Sequence, residues 1–219
     1  MSRFAQRHLD PASRLGEVLF GLIMVLTVTS AAGLTVADGR EGVRQLLFAA
    51  IGCNIAWGII DAVMYIMNSM TVRAGSWRLA QRIKNAPNEK AALDLIEAEV
   101  APELQDFLAP KEAETLRQAV LKSVARTPVA KAHATRDDFY GAIACFWLVF
   151  VSCLPAALPF FVFSRPRFAL RVSNFLLIVL LFLVGRAWAK YVGANRLLAG
   201  SAMVAIGLAL VGIAVLLGG

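Results

Sequence analysis

The chain has 219 residues, 58% of them hydrophobic and 17% charged, with a formal net charge of +7. Soluble domains carry about 45–50% apolar and about 25% charged residues, so the composition excludes an ordinary water-soluble enzyme and points to a bilayer. No basic and aromatic repeat accompanies the positive charge, which excludes nucleic acid as the partner and leaves membrane topology and anionic lipid as its meaning.

Taken in chain order, residues 18–37 form 20 consecutive positions without a charge. A spanning helix needs about 20 apolar residues, so the first span is predicted over 16–37. Its arginines, apolar run and "TSAAG" resemble a secretory leader. The run is longer than a leader's apolar core and four more spans follow, so it is read as a retained helix. The second span is predicted over 45–68, uncharged except for Asp61, and the others over 139–163, 168–189 and 197–217. The fold class is therefore all-α: a polytopic membrane protein with five transmembrane helices and a short cytoplasmic helical insert between helices 2 and 3. The segments are 1–69, 70–138 and 139–219.

Five spans put the two termini on opposite sides. With the N-terminus inside, 17 of the 22 Lys/Arg fall on the cytoplasmic side and 5 outside, and cytoplasmic loops are the ones that carry the excess. This predicts an integral membrane protein, N-terminus cytoplasmic and C-terminus opposite, with a bacterial inner membrane as its expected home. Cys53, Cys145 and Cys153 all fall within spans, have no CxxC spacing and read as small buried apolar residues.

The insert opens with "VRAGSWRLAQRIK", whose Val72, Leu79 and Ile83 recur at helical spacing and prolong the second span. Asn88 follows Pro87 as a candidate N-cap. Two or three short amphipathic helices come next, with apolar stripes at Leu93, Ile96 and Val100 and at Leu116, Val120 and Val124. The insert's acids include Glu97, Glu103 and Asp106, a possible cytoplasmic metal-binding group. The competing reading, favoured on the sequence, is a solvated face interleaved with Lys and Arg.

Asp61 is the anomaly of the second span. A carboxylate at the centre of a spanning helix costs about 2.5–3.5 kcal/mol on insertion scales. Asn54, Trp57, Met64, Tyr65 and Asn68 lie three, four or seven residues from it, so they share one stripe. Such a stripe faces the bundle interior or a water-filled cavity, and a structural hydrogen bond to a neighbouring helix is the alternative. Glu17, Asp137 and Asp138 are predicted at the same membrane face. Arg14, Arg136, Arg186 and Lys190 stand ready as competing neutralising charges. Met64, with Met24 on the first span, offers soft thioether contacts that favour Fe²⁺ or Cu⁺ over Mg²⁺. Pro155 and Pro159 interrupt the third span and predict a kink. Gly185, Gly193, Gly200, Gly207 and Gly212 predict close contact of the last two.

Together, "RLGEVLFGLIMVLTVTSAAG", "WGIIDAVMYIM", the polar helical insert, "LPAALPFF" and the Gly-rich final helix resemble the vacuolar iron transporter family. The resemblance implies a five-helix protein, usually a homodimer, that exports Fe²⁺ or Mn²⁺ from the cytosol in exchange for protons. It uses membrane carboxylates, methionines and a Glu-rich cytoplasmic domain. The family's first helix typically reads "GxNDGL". Here the matching run is "GLIMVL", with Met24 where the Asp would stand.

The expected function is thus export of a divalent transition metal by proton antiport. Asp61 is the central carboxylate, Met64 and Met24 supply soft contacts, and Glu17 lines the cytoplasmic mouth. No permanently bound cofactor is expected; the partners are lipid, the metal ion, protons and a second copy. The alternative is a non-transporting membrane protein whose cytoplasmic helices bind a partner. An enzyme is disfavoured, because His8 and His133 lie outside the spans and no nucleophile or metal-ligand motif occurs.

Overall fold

The structure, a computed structural model, describes residues 3–32, 40–100, 107–128 and 131–217. All of its regular elements are helices: α1 (Arg3–His8), α2 (Pro11–Ala32), α3 (Arg40–Lys84), α4 (Glu89–Val100), α5 (Pro110–Arg126), α6 (Arg136–Val162), α7 (Pro166–Val192) and α8 (Arg196–Leu216). Five of them, α2, α3, α6, α7 and α8, are long and apolar enough to cross a membrane, and the protein is an integral membrane protein. The chain divides into two compact units, Met1–Ile66 with Arg136–Gly219, and Met67–Thr135.

The first span starts five residues earlier than the charge pattern suggested. The reason is local. Asp10 Oδ1 accepts from the backbone N–H groups of Ala12 at 2.9 Å and Ser13 at 3.0 Å, and Pro11 occupies the first helical position. Together they form an N-cap with a preset φ. Asn195 does the same for α8, accepting from Leu197 and Leu198. Between the two, Gly193 ends α7 at φ 70°, a left-handed conformation that glycine adopts without strain. The helix α1 before the first span has no counterpart among the sequence expectations.

In the spanning unit, Leu22, Val25 and Leu26 of α2 meet Cys153 and Ala156 of α6 and Leu177 and Leu181 of α7 in one core. The outside of this unit is as apolar as its inside: Phe161 and Leu216 are each 86% exposed. For a water-soluble protein that surface would aggregate; against lipid tails it costs nothing. Small residues set the spacing of the last two spans. A Cβ on Gly185 would stand 2.5 Å from Ala199 O and 2.9 Å from Gly200 Cα, and one on Gly207 2.7 Å from Leu181. Gly193 serves as a helix stop and Gly212 faces open space, so three of the five glycines mark the contact. The helix α6 continues through Pro155 and Pro159; each removes one bond from the ladder without ending the helix.

The second unit closes its own small core. Ile83 from the end of α3 packs with Ala92 and Ile96 of α4, and Leu79, Leu95, Val120, Leu121 and Val124 surround them. Asn88 Oδ1 accepts from Ala91 N at 2.8 Å, capping α4, and Glu112 accepts from Ala109 N at 3.1 Å to open α5. Two helices follow α3 here.

Candidate functional site: a carboxyl pair inside the spanning bundle

Three helices converge on one point. Glu17 lies in the second turn of α2, Cys145 about 13 Å along α6 from its start, and Asp61 about 30 Å along α3. The Glu17 and Asp61 carboxyl groups lie close enough to interact directly, with the Cys145 thiol beside Glu17. Both acids are half-buried. Ala5 and Leu9, at the α1 end, pack with Ala144, Cys145 and Leu148 and with Val18 and Tyr65. Tyr65 OH donates to His8 O at 3.2 Å. The short α1 therefore forms part of the cover at this end of the bundle.

The competing neutralisation by arginine is not what the described residues show. No ion pair reaches Glu17 or Asp61 among them. Arg14 Nε is buried without a partner, and the Arg186 guanidinium lies over the Phe182 ring, 5.8 Å from its centroid. Asp61 Oδ2 is also buried without a hydrogen-bond partner. Two bare carboxylates are not held in contact in a low-dielectric setting. A proton or a cation between the oxygens would relieve their repulsion.

The predicted stripe of α3 is narrower than its spacing suggested. Leu46, Ala50, Asn54 and Gly58 are buried, and Asp61 and Tyr65 half-buried, so the packed face runs through positions three and four apart. Trp57 and Asn68 are exposed and Met64 is 58% exposed. Within the protomer Met64 is therefore not brought to Asp61, because a helix turns 100° per residue and i+3 and i+4 diverge across the stripe. Met24 is half-buried, about 10 Å beyond Glu17 along α2. Asp137 and Asp138 do not join the pair. Asp137, exposed, lines two neighbouring clefts of about 480 and 330 Å³ with Arg7 and His8, and Asp138 is buried.

In the insert, Glu97 pairs with Arg117, which also meets Glu114 at 3.0 Å. Glu99 pairs with Arg82 at 3.3 Å. Glu103 and Asp106 lie outside the described residues. No group of three or more His, Cys, Asp or Glu side chains arranged to hold a metal ion occurs among the described residues. Sequence reasoning missed Cys145 as a partner of Glu17. It had no signal to follow, since the contact joins two helices far apart in the chain.

The family model of the VIT family matches residues 70–219, well over half of the chain. The chain belongs to the VIT family. As a member of that family it is a membrane metal-ion transporter, and a transporter family agrees with the non-enzymatic reading. No curated protein matches the sequence.

Proposed function

We propose that this VIT-family protein exports Fe²⁺ or Mn²⁺ from the cytosol by proton antiport, with the Glu17–Asp61 pair as the exchange point. One observation carries the reading: two carboxyls meet inside the span, and no protein cation among the described residues neutralises them. A divalent ion and a shared proton are then alternative occupants of the same oxygens. Their competition couples uptake of one to release of the other. The Cys145 thiol adds a soft neighbour, which favours a transition metal over Mg²⁺.

The absence of a closed ligand cage among the described residues suits cargo better than a resident ion. A conducted ion must be held firmly enough to enter and loosely enough to leave. With the N-terminus cytoplasmic, the pair lies in the inner half of the bilayer. Met64 stands outward on the protomer, where the second copy of a homodimer would bring it into use. The acids between Glu97 and Asp106 are an accessory metal-collecting group in this reading.

The test is Mn²⁺ and Fe²⁺ flux in proteoliposomes under an imposed pH gradient. Asp61→Asn abolishes flux while the protein still folds and inserts. Wild-type flux in that variant would overturn the assignment.

A further inference from the structure

Below the carboxyl pair, as seen from α1, the same three helices meet again at Asn54. Asn54 is fully buried. Its Nδ2 donates to Gly21 O of α2 at 3.3 Å and to Val149 O of α6 at 3.4 Å. Gly21 is one turn beyond Glu17, Val149 one turn beyond Cys145, and Asn54 two turns before Asp61 on a helix running the other way. Each residue of the site thus has its counterpart in this knot, on the same face of the same helix. The approach is close: a Cβ on Gly21 would collide with Ser152 Oγ and stand 2.8 Å from Val149 O.

The orientation of the amide is fixed by its surroundings. Both N–H groups face helix carbonyls, and the flipped amide would set its oxygen against the same two acceptors. That leaves Oδ1, which is buried and has no donor. The neighbouring thiol does not supply one: Cys153, within hydrogen-bonding reach of Asn54, sends its hydrogen to Phe150 O at 2.9 Å. A buried carbonyl oxygen without a partner calls for an explanation, most often a water or ion. Beyond it lies the apolar block of Leu22, Val25, Leu26, Leu177 and Leu181. Past that block come the hydroxyls and amide of Thr29, Ser30 and Asn174. Asn54 therefore stands at the edge of the apolar block, with the buried Ser152 hydroxyl beside it already donating to Val149 O at 2.7 Å.

We infer that Asn54 Oδ1 is a second, deeper oxygen ligand for the transported divalent cation, taking it from the Glu17–Asp61 pair at the edge of the apolar block. The inference rests on the transport reading above. The amide's two N–H bonds hold the oxygen in place before the ion arrives, so little ordering is needed when it does. A neutral carbonyl suits a transient stop, because it lets go of a cation more readily than a carboxylate does.

The test compares Asn54→Leu with wild type and Asp61→Asn by two readouts: Mn²⁺-induced thermal stabilisation in detergent and Mn²⁺ flux in proteoliposomes. Leucine has a similar volume and removes the orphaned oxygen. Gly21 O and Val149 O lose the amide donor but keep their places as acceptors within α2 and α6, so the cost to folding is that of neutral hydrogen bonds rather than of stranded polar groups. Asn54→Leu keeps the Mn²⁺-induced stabilisation of wild type and slows flux by about ten- to a hundredfold, the scale of one lost interaction with a charged group. Asp61→Asn loses both. Wild-type flux in Asn54→Leu would overturn the inference, and so would loss of its Mn²⁺ stabilisation, which would place Asn54 in the pair itself. If Asn54→Leu does not fold, Asn54→Ser and Asn54→Ala decide. Serine keeps an oxygen and conducts faster than alanine; equal flux in the two overturns the inference. A wild-type protein without flux overturns the transport reading instead.

Discussion

Consider Glu17→Gln and Asp61→Asn, singly and together. Two unit charges about 4 Å apart repel by about 4 kcal/mol at an effective dielectric of 20. On the proposed reading, the metal-free wild type avoids this by holding a proton between the carboxyls. An amide at either position removes the repulsion while keeping shape and hydrogen-bonding capacity, so neither single variant is less stable than wild type without metal. The metal response separates them. A ligand at a hundred times its dissociation constant stabilises the folded state by about 2.7 kcal/mol. At about 2–4 °C per kcal/mol for a chain of this size, Mn²⁺ raises the wild-type Tm by about 5–11 °C. Each single variant loses that shift, because the remaining carboxylate alone holds a divalent ion poorly. The double variant loses no more than either single one, since the two oxygens act as one ligand. Scanning fluorimetry in detergent with and without Mn²⁺ measures all four proteins. A full shift surviving in both single variants refutes the pair as the metal site. Loss of the shift in Glu97→Gln, Glu103→Gln or Asp106→Asn instead would move it to the insert.

Asp10→Ala removes the cap of α2 and costs about 1 kcal/mol in thermal stability. The Ser13 side chain and then its backbone N–H hold the Asp10 carboxyl below its usual 3.8. A depressed folded value means stability that is present above the unfolded value and lost as pH falls through the folded one. Acid unfolding below pH 3.8 is therefore shallower in the alanine variant. Gly185→Val forces α7 and α8 apart, since its side chain meets the backbone of Ala199 and Gly200, and costs about 1–3 kcal/mol. Gly212→Ala, in open space, is neutral or stabilising by up to about 1 kcal/mol. Thermal melts of the two compare a contact glycine with a free one. Ile96→Ala empties the centre of the insert's small core and costs about 2–5 kcal/mol. Limited proteolysis then cuts between 85 and 128 faster, and the spanning unit stays protected.

The spans were legible because hydrocarbon imposes a length and excludes charge, and both leave a mark in a linear sequence. The continuation of α3 into the insert and the Asn88 cap were legible for equally local reasons. Asp61 stood out because a charge in a span is costly wherever it points, and Glu17 because it opens one. What the sequence did not carry is rotation between helices. Met64 and Tyr65 are both within one turn of Asp61, and only the packing of α3 against its neighbours selects Tyr65 for the inside and Met64 for the outside. Cys145 and Val149 acquire their roles from being opposite Glu17 and Asn54, a relation no spacing rule along one helix expresses. Asn54 belongs to the same class: its place in the stripe was readable, and its orphaned oxygen was not. In a membrane protein whose outer surface is as apolar as its core, the transport proposal rests on polar atoms that lack partners inside the bundle, Asp61 Oδ2 and Asn54 Oδ1, and finding them takes three helices at once.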